Sequence, residues 1–104
     1  KNIYIQKPNL KNNENIYWVV GIVIKNKKIS AEKFREKLYK KNIDTRSFFW
    51  PMDKQNILKK YRIKLKGNFK NSDYISIYGL YLPSGLGTTK REILKICRII
   101  NKLI

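Results

Sequence analysis

The sequence contains no histidine and a single cysteine, Cys97. One cysteine excludes an internal disulfide, and without histidine a zinc site of the Cys/His kind is excluded as well. The same absence removes the commonest general base and the usual partner of a serine or cysteine nucleophile. Acidic residues are scarce, at 7 against 24 lysines and arginines. No two of the carboxylates outside the surface helix pairs (Glu14, Asp44, Asp53, Asp73 and Glu92) have the spacing of a metal site or an acid/base pair. Long hydrophobic runs are missing too. The longest, residues 16–24, is too short to cross a bilayer as a helix. The opening KNIYIQKPNLKNNEN is polar and lacks the apolar core of a signal peptide. The chain starts at Lys1 and not at a methionine, which reads as a truncated start or a missing preceding segment. These features together read as a soluble protein of a reducing, cytoplasmic compartment.

What is present suits one domain. A chain of 104 residues with 42% hydrophobic residues can build a core but not a deep catalytic cleft as well. The net charge of +17 admits a polyanionic partner, because such a field attracts nucleic acid or anionic membranes. The lysines are nevertheless spread through every segment of a chain dominated by Lys, Ile and Asn. Neither an RNP motif nor a GXXG loop accompanies them. A free-standing basic nucleic-acid-binding module is therefore the alternative reading and not the first.

Residues 16–24 (IYWVVGIVI) predict a strand that is apolar on both faces and central in a sheet. Gly21 within it marks a close packing approach. Ser30 is placed to cap a helix AEKFREKLYKK, with Ile29 and Phe34 at staple spacing, Ala31, Phe34 and Leu38 on one face, and Glu36 able to pair with Lys40. Asn42 ends that helix. Residues 43–49 resume extended and Pro51 stops them, with a short helix around Ile57, Leu58 and Tyr61 to follow. Gly67 and Asn68 mark a turn. Residues 73–78 (DYISIY) alternate as a strand does, and residues 80–82 form a short strand before Pro83. Thr89 and Glu92 form a capping box for a last helix with Ile93, Ile96, Cys97, Ile100 and Ile104 in one apolar stripe. Cys97 is expected to be a small core residue there. The architecture implied is α+β, a short antiparallel sheet with packed helices.

Two places invite chemistry. PSGLGTTK has the glycines of a phosphate loop but neither the Gly-Lys-Ser/Thr ending nor a third glycine at the dinucleotide spacing. Gly85 and Gly87 are more simply a strand-to-helix turn. Residues 44–55 (DTRSFFWPMDKQ) gather an arginine, three consecutive aromatics, a proline and two aspartates. They read either as a core strand ending in a proline turn or as a wall of a binding cleft. Aromatic faces suit sugars and bases, and an arginine suits phosphate or carboxylate.

The order YWVVGIVI, SAEKFREKLYKKNI, DTRSFFWPMDKQ, GLYLPSG and TTKREILKICRII resembles the C-terminal region of the DegT/DnrJ/EryC1/StrS family of sugar aminotransferases. Within that family it is most similar to perosamine synthase-type enzymes, over residues 16 to the end. The resemblance implies the small C-terminal domain of a fold-type I aminotransferase over 16–104, with 1–15 a connecting segment and the large domain absent. It also implies a helix, closed by Gly79, where local alternation over 73–78 suggests a strand. Such enzymes use pyridoxal phosphate to move an amino group, usually from glutamate, onto a nucleotide-linked keto-sugar, and usually work as homodimers. The Schiff-base lysine lies in the large domain, so no cofactor is expected on this fragment and the fragment alone is not expected to be catalytic. The implied product serves surface polysaccharide synthesis.

By the same resemblance, the Arg-x-Phe-Phe segment falls on Arg46, Phe48 and Phe49, and the motif after the proline on Met52, Asp53 and Gln55. Substrate-side residues are then Arg46, Phe49, Trp50, Asp53 and Gln55. Many members carry histidine where Asp53 stands and proline where Asn56 stands. The first change replaces a hydrogen-bond donor with an anion. Asp53 has two other openings, a pair with Arg46 or a cap on the next helix. A degenerate fragment with only an interaction role is the third reading of the chain.

Overall fold

The computed structural model of the chain describes residues 2–6 and 14–104. Among them, four strands form an antiparallel sheet: β1 (Ile3–Ile5), β2 (Val20–Ile24), β3 (Arg46–Ser47) and β4 (Gly79–Leu82), in the order β1-β2-β4-β3. Four helices accompany it: α1 (Ala31–Tyr39), α2 (Asn56–Lys60), α3 (Lys70–Tyr78) and α4 (Lys90–Leu103). The molecule is a small α+β unit with a short antiparallel sheet. No helix among the described residues is long and apolar enough to cross a membrane.

The pleat decides which residues meet the helices. Ile22 lies opposite Leu80, while Ile24 lies opposite Ile3, so the inner sheet face is a patch of branched aliphatics. Ala31, Phe34 and Leu38 of α1 cover this patch together with Ile100 of α4, and all are buried. The intervening residues Tyr4, Gly21, Val23, Gly79 and Tyr81 form the other face. Among the described residues, α3 borders that outer face, where Ile75 lines a groove with Tyr4, Val23 and Tyr81.

Local chemistry sets the element ends. Ser30 Oγ accepts the Lys33 N–H at 3.3 Å and starts α1. Asn42, at φ 58°, takes the left-handed position after it, and the Ile43 N–H returns to the Leu38 carbonyl at 3.0 Å. The Glu36–Lys40 pair does not form; among the described residues the ion pair is Lys54 with Asp73. Thr89 and Glu92 close the expected capping box at the start of α4.

Several expectations shift. β2 begins at Val20, so the strand expected from residue 16 loses its first four residues. Asn15 Oδ1 accepts the Tyr17 N–H at 2.8 Å, Tyr17 takes φ 47°, and the turn leaves Ile16 87% exposed. The inner position of β2, between β1 and β4, is as expected. Residues 43–49 contribute only Arg46–Ser47 to the ladder. Residues 3–5, in the stretch expected to connect, pair along β2 as an edge strand. Residues 70–78 are helical, as the resemblance implied for 73–78 and against their local alternation; that spacing brings the Tyr74 and Tyr78 ring centroids to 5.1 Å and lets the Tyr74 hydroxyl donate to the Ile24 carbonyl at 3.0 Å.

Cys97 is not a core residue. The side of α4 that docks is centred on Ile96, Ile100 and Leu103, which leaves Cys97 exposed beside an open groove between β1 and α4.

Candidate functional site

The residues expected to face a substrate all lie on one continuous stretch, and its anchors can be followed from the N-terminal side. Thr45 is buried, and its carbonyl accepts both Nε and Nη2 of Arg35 at 3.3 and 3.0 Å. Its N–H donates to Asp44 Oδ1 at 2.8 Å. α1 thus fixes the backbone one residue before Arg46. β3 then pairs Arg46 with Tyr81 and Ser47 with Leu80, which puts Arg46 on the outer sheet face at the sheet's edge.

Aromatic packing continues the attachment. Phe48 stacks on Tyr81 with ring centroids 4.5 Å apart and planes 29° apart. Phe49 meets the same tyrosine edge-on at 5.7 Å. Burial raises the Tyr81 phenol above its usual range.

Residues 50–55 close on themselves. Trp50 Nε1 donates to the Lys54 carbonyl at 3.1 Å, and Gln55 Nε2 donates to the Trp50 carbonyl at 3.3 Å. Pro51 is buried, and the Lys54 and Gln55 N–H groups bond back to Pro51 and Met52 carbonyls as a single 3-10 turn. Lys54 reaches on to Asp73 at the start of α3. A loop held by its own side chains at both ends keeps a fixed shape without a ligand.

The five expected substrate residues therefore divide. Arg46, Phe49 and Trp50 are exposed and presented by a braced segment, with Phe49 at 69% and Trp50 at 63%. Gln55 is half-buried and its amide nitrogen is engaged in holding the loop. Asp53 is half-buried in the 3-10 turn. It neither pairs with Arg46 nor caps α2, whose N-cap has no side-chain hydrogen bond. Both alternative roles for Asp53 are thereby corrected.

Sequence reasoning missed two participants: Tyr81 carries the aromatic stack and Arg35 anchors the backbone. The close approach expected at Gly21 is present, and the ring that makes it is Phe48. The alternation of GLYL offered a signal for Tyr81, but the strand that it pairs with is not legible from spacing. On the outer face Tyr4, Tyr17, Gly21, Val23, Phe48 and Tyr81 line a shallow open groove of about 300 Å³.

The residues present do not fit pyridoxal phosphate by themselves. A Schiff-base lysine needs a desolvated or cation-flanked pocket, and every lysine among the described residues is exposed. No group of three or more His, Cys, Asp or Glu among them could hold a metal ion. The glycines of PSGLGTTK form a turn whose helix N-terminus is already occupied by Glu92, which accepts both the N–H and the hydroxyl of Thr89 at 2.7 Å.

The model of the DegT/DnrJ/EryC1/StrS aminotransferase family matches residues 1–101. No curated protein matches the chain.

Proposed function

The chain belongs to the DegT/DnrJ/EryC1/StrS aminotransferase family, and from that premise we propose that it is the small C-terminal domain of a pyridoxal-phosphate-dependent sugar-nucleotide aminotransferase. Residues 16–104 form this domain and a separate large domain carries the cofactor and its lysine. The chain supplies one side of the substrate cleft and does no chemistry alone. The substrate is a nucleotide-diphosphate 4-keto-6-deoxy sugar, the amino donor is glutamate, and the product is of the perosamine type used in surface polysaccharides. The enzyme acts in the cytoplasm as a homodimer.

The observation that supports this most is the presentation of Arg46, Phe49 and Trp50 on a segment closed by its own hydrogen bonds. A guanidinium binds a diphosphate through charge-assisted hydrogen bonds, and exposed aromatic faces cover a sugar ring or a base. Their work is binding, orientation and exclusion of water. Asp53 adds an acceptor next to them, suited to a sugar hydroxyl. The absence of histidine leaves no imidazole on this side of the cleft, so proton transfer falls to the large domain.

Arg46→Ala in the enzyme that contains this chain tests the reading. Loss of a charge-assisted contact worth about 1.5–3 kcal/mol raises KM for the nucleotide sugar roughly 10- to 100-fold. The glutamate half-reaction stays unchanged. Equal loss of both half-reactions would contradict the assignment.

The exposed rings of the outer sheet face and the +17 charge favour one second reading, a nucleic-acid surface. It requires the chain alone to bind an oligonucleotide with an affinity that falls steeply with salt.

A further inference from the structure

Two glycines stand where a strand has no conformational use for them. Gly79 is extended at φ −97° and ψ 146°, and neither it nor Gly21 has the positive φ that favours glycine. Glycine within a strand weakens it, so a compensating close approach is expected at both places. The structure supplies one approach for both, the ring of Phe48.

A β-carbon at position 21 would lie 3.0 Å from Phe48 Cζ and 3.6 Å from Tyr81 Cε1. At position 79 it would overlap both Phe48 Cδ2 and the Ile75 carbonyl oxygen. Phe48 is also stacked on Tyr81. The ring thus rests against two bare backbones and a tyrosine face. Its neighbours in sequence are the residues offered to the substrate, Arg46 two positions before and Phe49 and Trp50 directly after.

We propose that Gly21, Gly79 and Phe48 are positioning residues: the glycine notch seats the Phe48 ring, and the seated ring fixes the register and outlook of residues 46–55. This assignment rests on the reading of that segment as a substrate wall, and it adds how the wall is held. Gly21 and Gly79 touch no substrate. They act through Phe48, as a socket acts through the peg in it.

The socket makes an asymmetric prediction. At position 21 the opposing atom is the ring tip, which a leucine at 48 lacks. At position 79 one opposing atom is backbone, which no change at 48 removes. The test uses the 15N-labelled chain carrying Trp18→Phe, so that Trp50 is the sole indole, and reads the exchange rate of its N–H, the donor to Lys54. Gly21→Val is expected to move this resonance and speed its exchange at least about tenfold. Adding Phe48→Leu should recover most of the loss, whereas Gly79→Ala should not be recovered by Phe48→Leu.

Amides of Phe34 and Leu38 report whether the core remains folded. Where Gly21→Val fails that check, Gly21→Ala, with its β-carbon at 3.0 Å, takes its place. An indole resonance unmoved by the substitution overturns the proposal, as does a double variant equal to the sum of its singles. The indole reading needs no substrate, so it stands apart from the function. A moved indole with an unchanged KM for the nucleotide sugar would overturn the substrate-wall reading and leave the socket in place.

Discussion

Glu92 shows at the residue scale how a short sequence signal becomes an electrostatic device. Its carboxylate accepts the Thr89 hydroxyl and backbone N–H, and these bonds hold its pKa below the usual carboxylate range. A depressed folded pKa stabilises the fold above the unfolded pKa, and the benefit is lost as pH falls through the folded value. Glu92→Gln is therefore expected to melt lower than the parent chain near neutral pH, with the gap closing below about pH 4.5. Thermal melts of the two proteins across that range check it. Cys97 makes a second prediction: its exposed thiol should react fully with a disulfide reagent in the native protein, without denaturant. The capping box was legible because it depends on two residues three apart. The place of Cys97 was not, because residues on a helix stripe differ by about 100° per step, and the docked centre of α4 is chosen by the sheet beneath it. Asp53 was similarly open: its spacing permitted a pair or a cap, and the 3-10 turn withdrew it from both.

At the scale of elements, strength of pattern separates what the sequence made clear from what it did not. α1 and α4 have capped starts and an apolar side, and both form within the expected bounds. Phe34 is completely buried between α1 and the sheet, so Phe34→Ala should cost about 3–5 kcal/mol. Tyr39, on the same helix and 73% exposed, should lose no more than about 0.5 kcal/mol when changed to alanine. Urea unfolding of both variants measures the contrast, and similar costs would show that α1 docks by a different face. Weaker patterns were decided from outside. DYISIY alternates like a strand, but the hydrogen bond from Tyr74 to Ile24 and the tilted Tyr74–Tyr78 ring contact need helical spacing. β1 is three residues in a polar stretch, and only the open edge of β2 makes it a strand. Ile16 to Val19 have strand-forming side chains, yet the Asn15 turn at Tyr17 keeps them out of the ladder.

For the whole molecule, the division between the two sheet faces organises the account. One face carries the aliphatic core under α1 and α4, and the other carries Tyr4, Phe48 and Tyr81 beside the braced loop of Trp50 and Gln55. The identity of residues 44–55 as the chemically distinctive stretch was legible from composition alone. How they are held was legible only in part: a close approach at Gly21 was expected, but that Phe48 makes it, and that Arg35 and Tyr81 take part, depends on contacts far apart in sequence. The +17 charge suits a diphosphate ligand, but it is spread over the surface and does not itself define a site. The central claim is that this chain is one wall of a cleft whose cofactor is held by another domain. Reading the DNA upstream of the Lys1 codon tests it most directly. The account predicts an open frame encoding a large domain with a lysine able to hold pyridoxal phosphate. A stop codon there, or an unrelated domain, would contradict it.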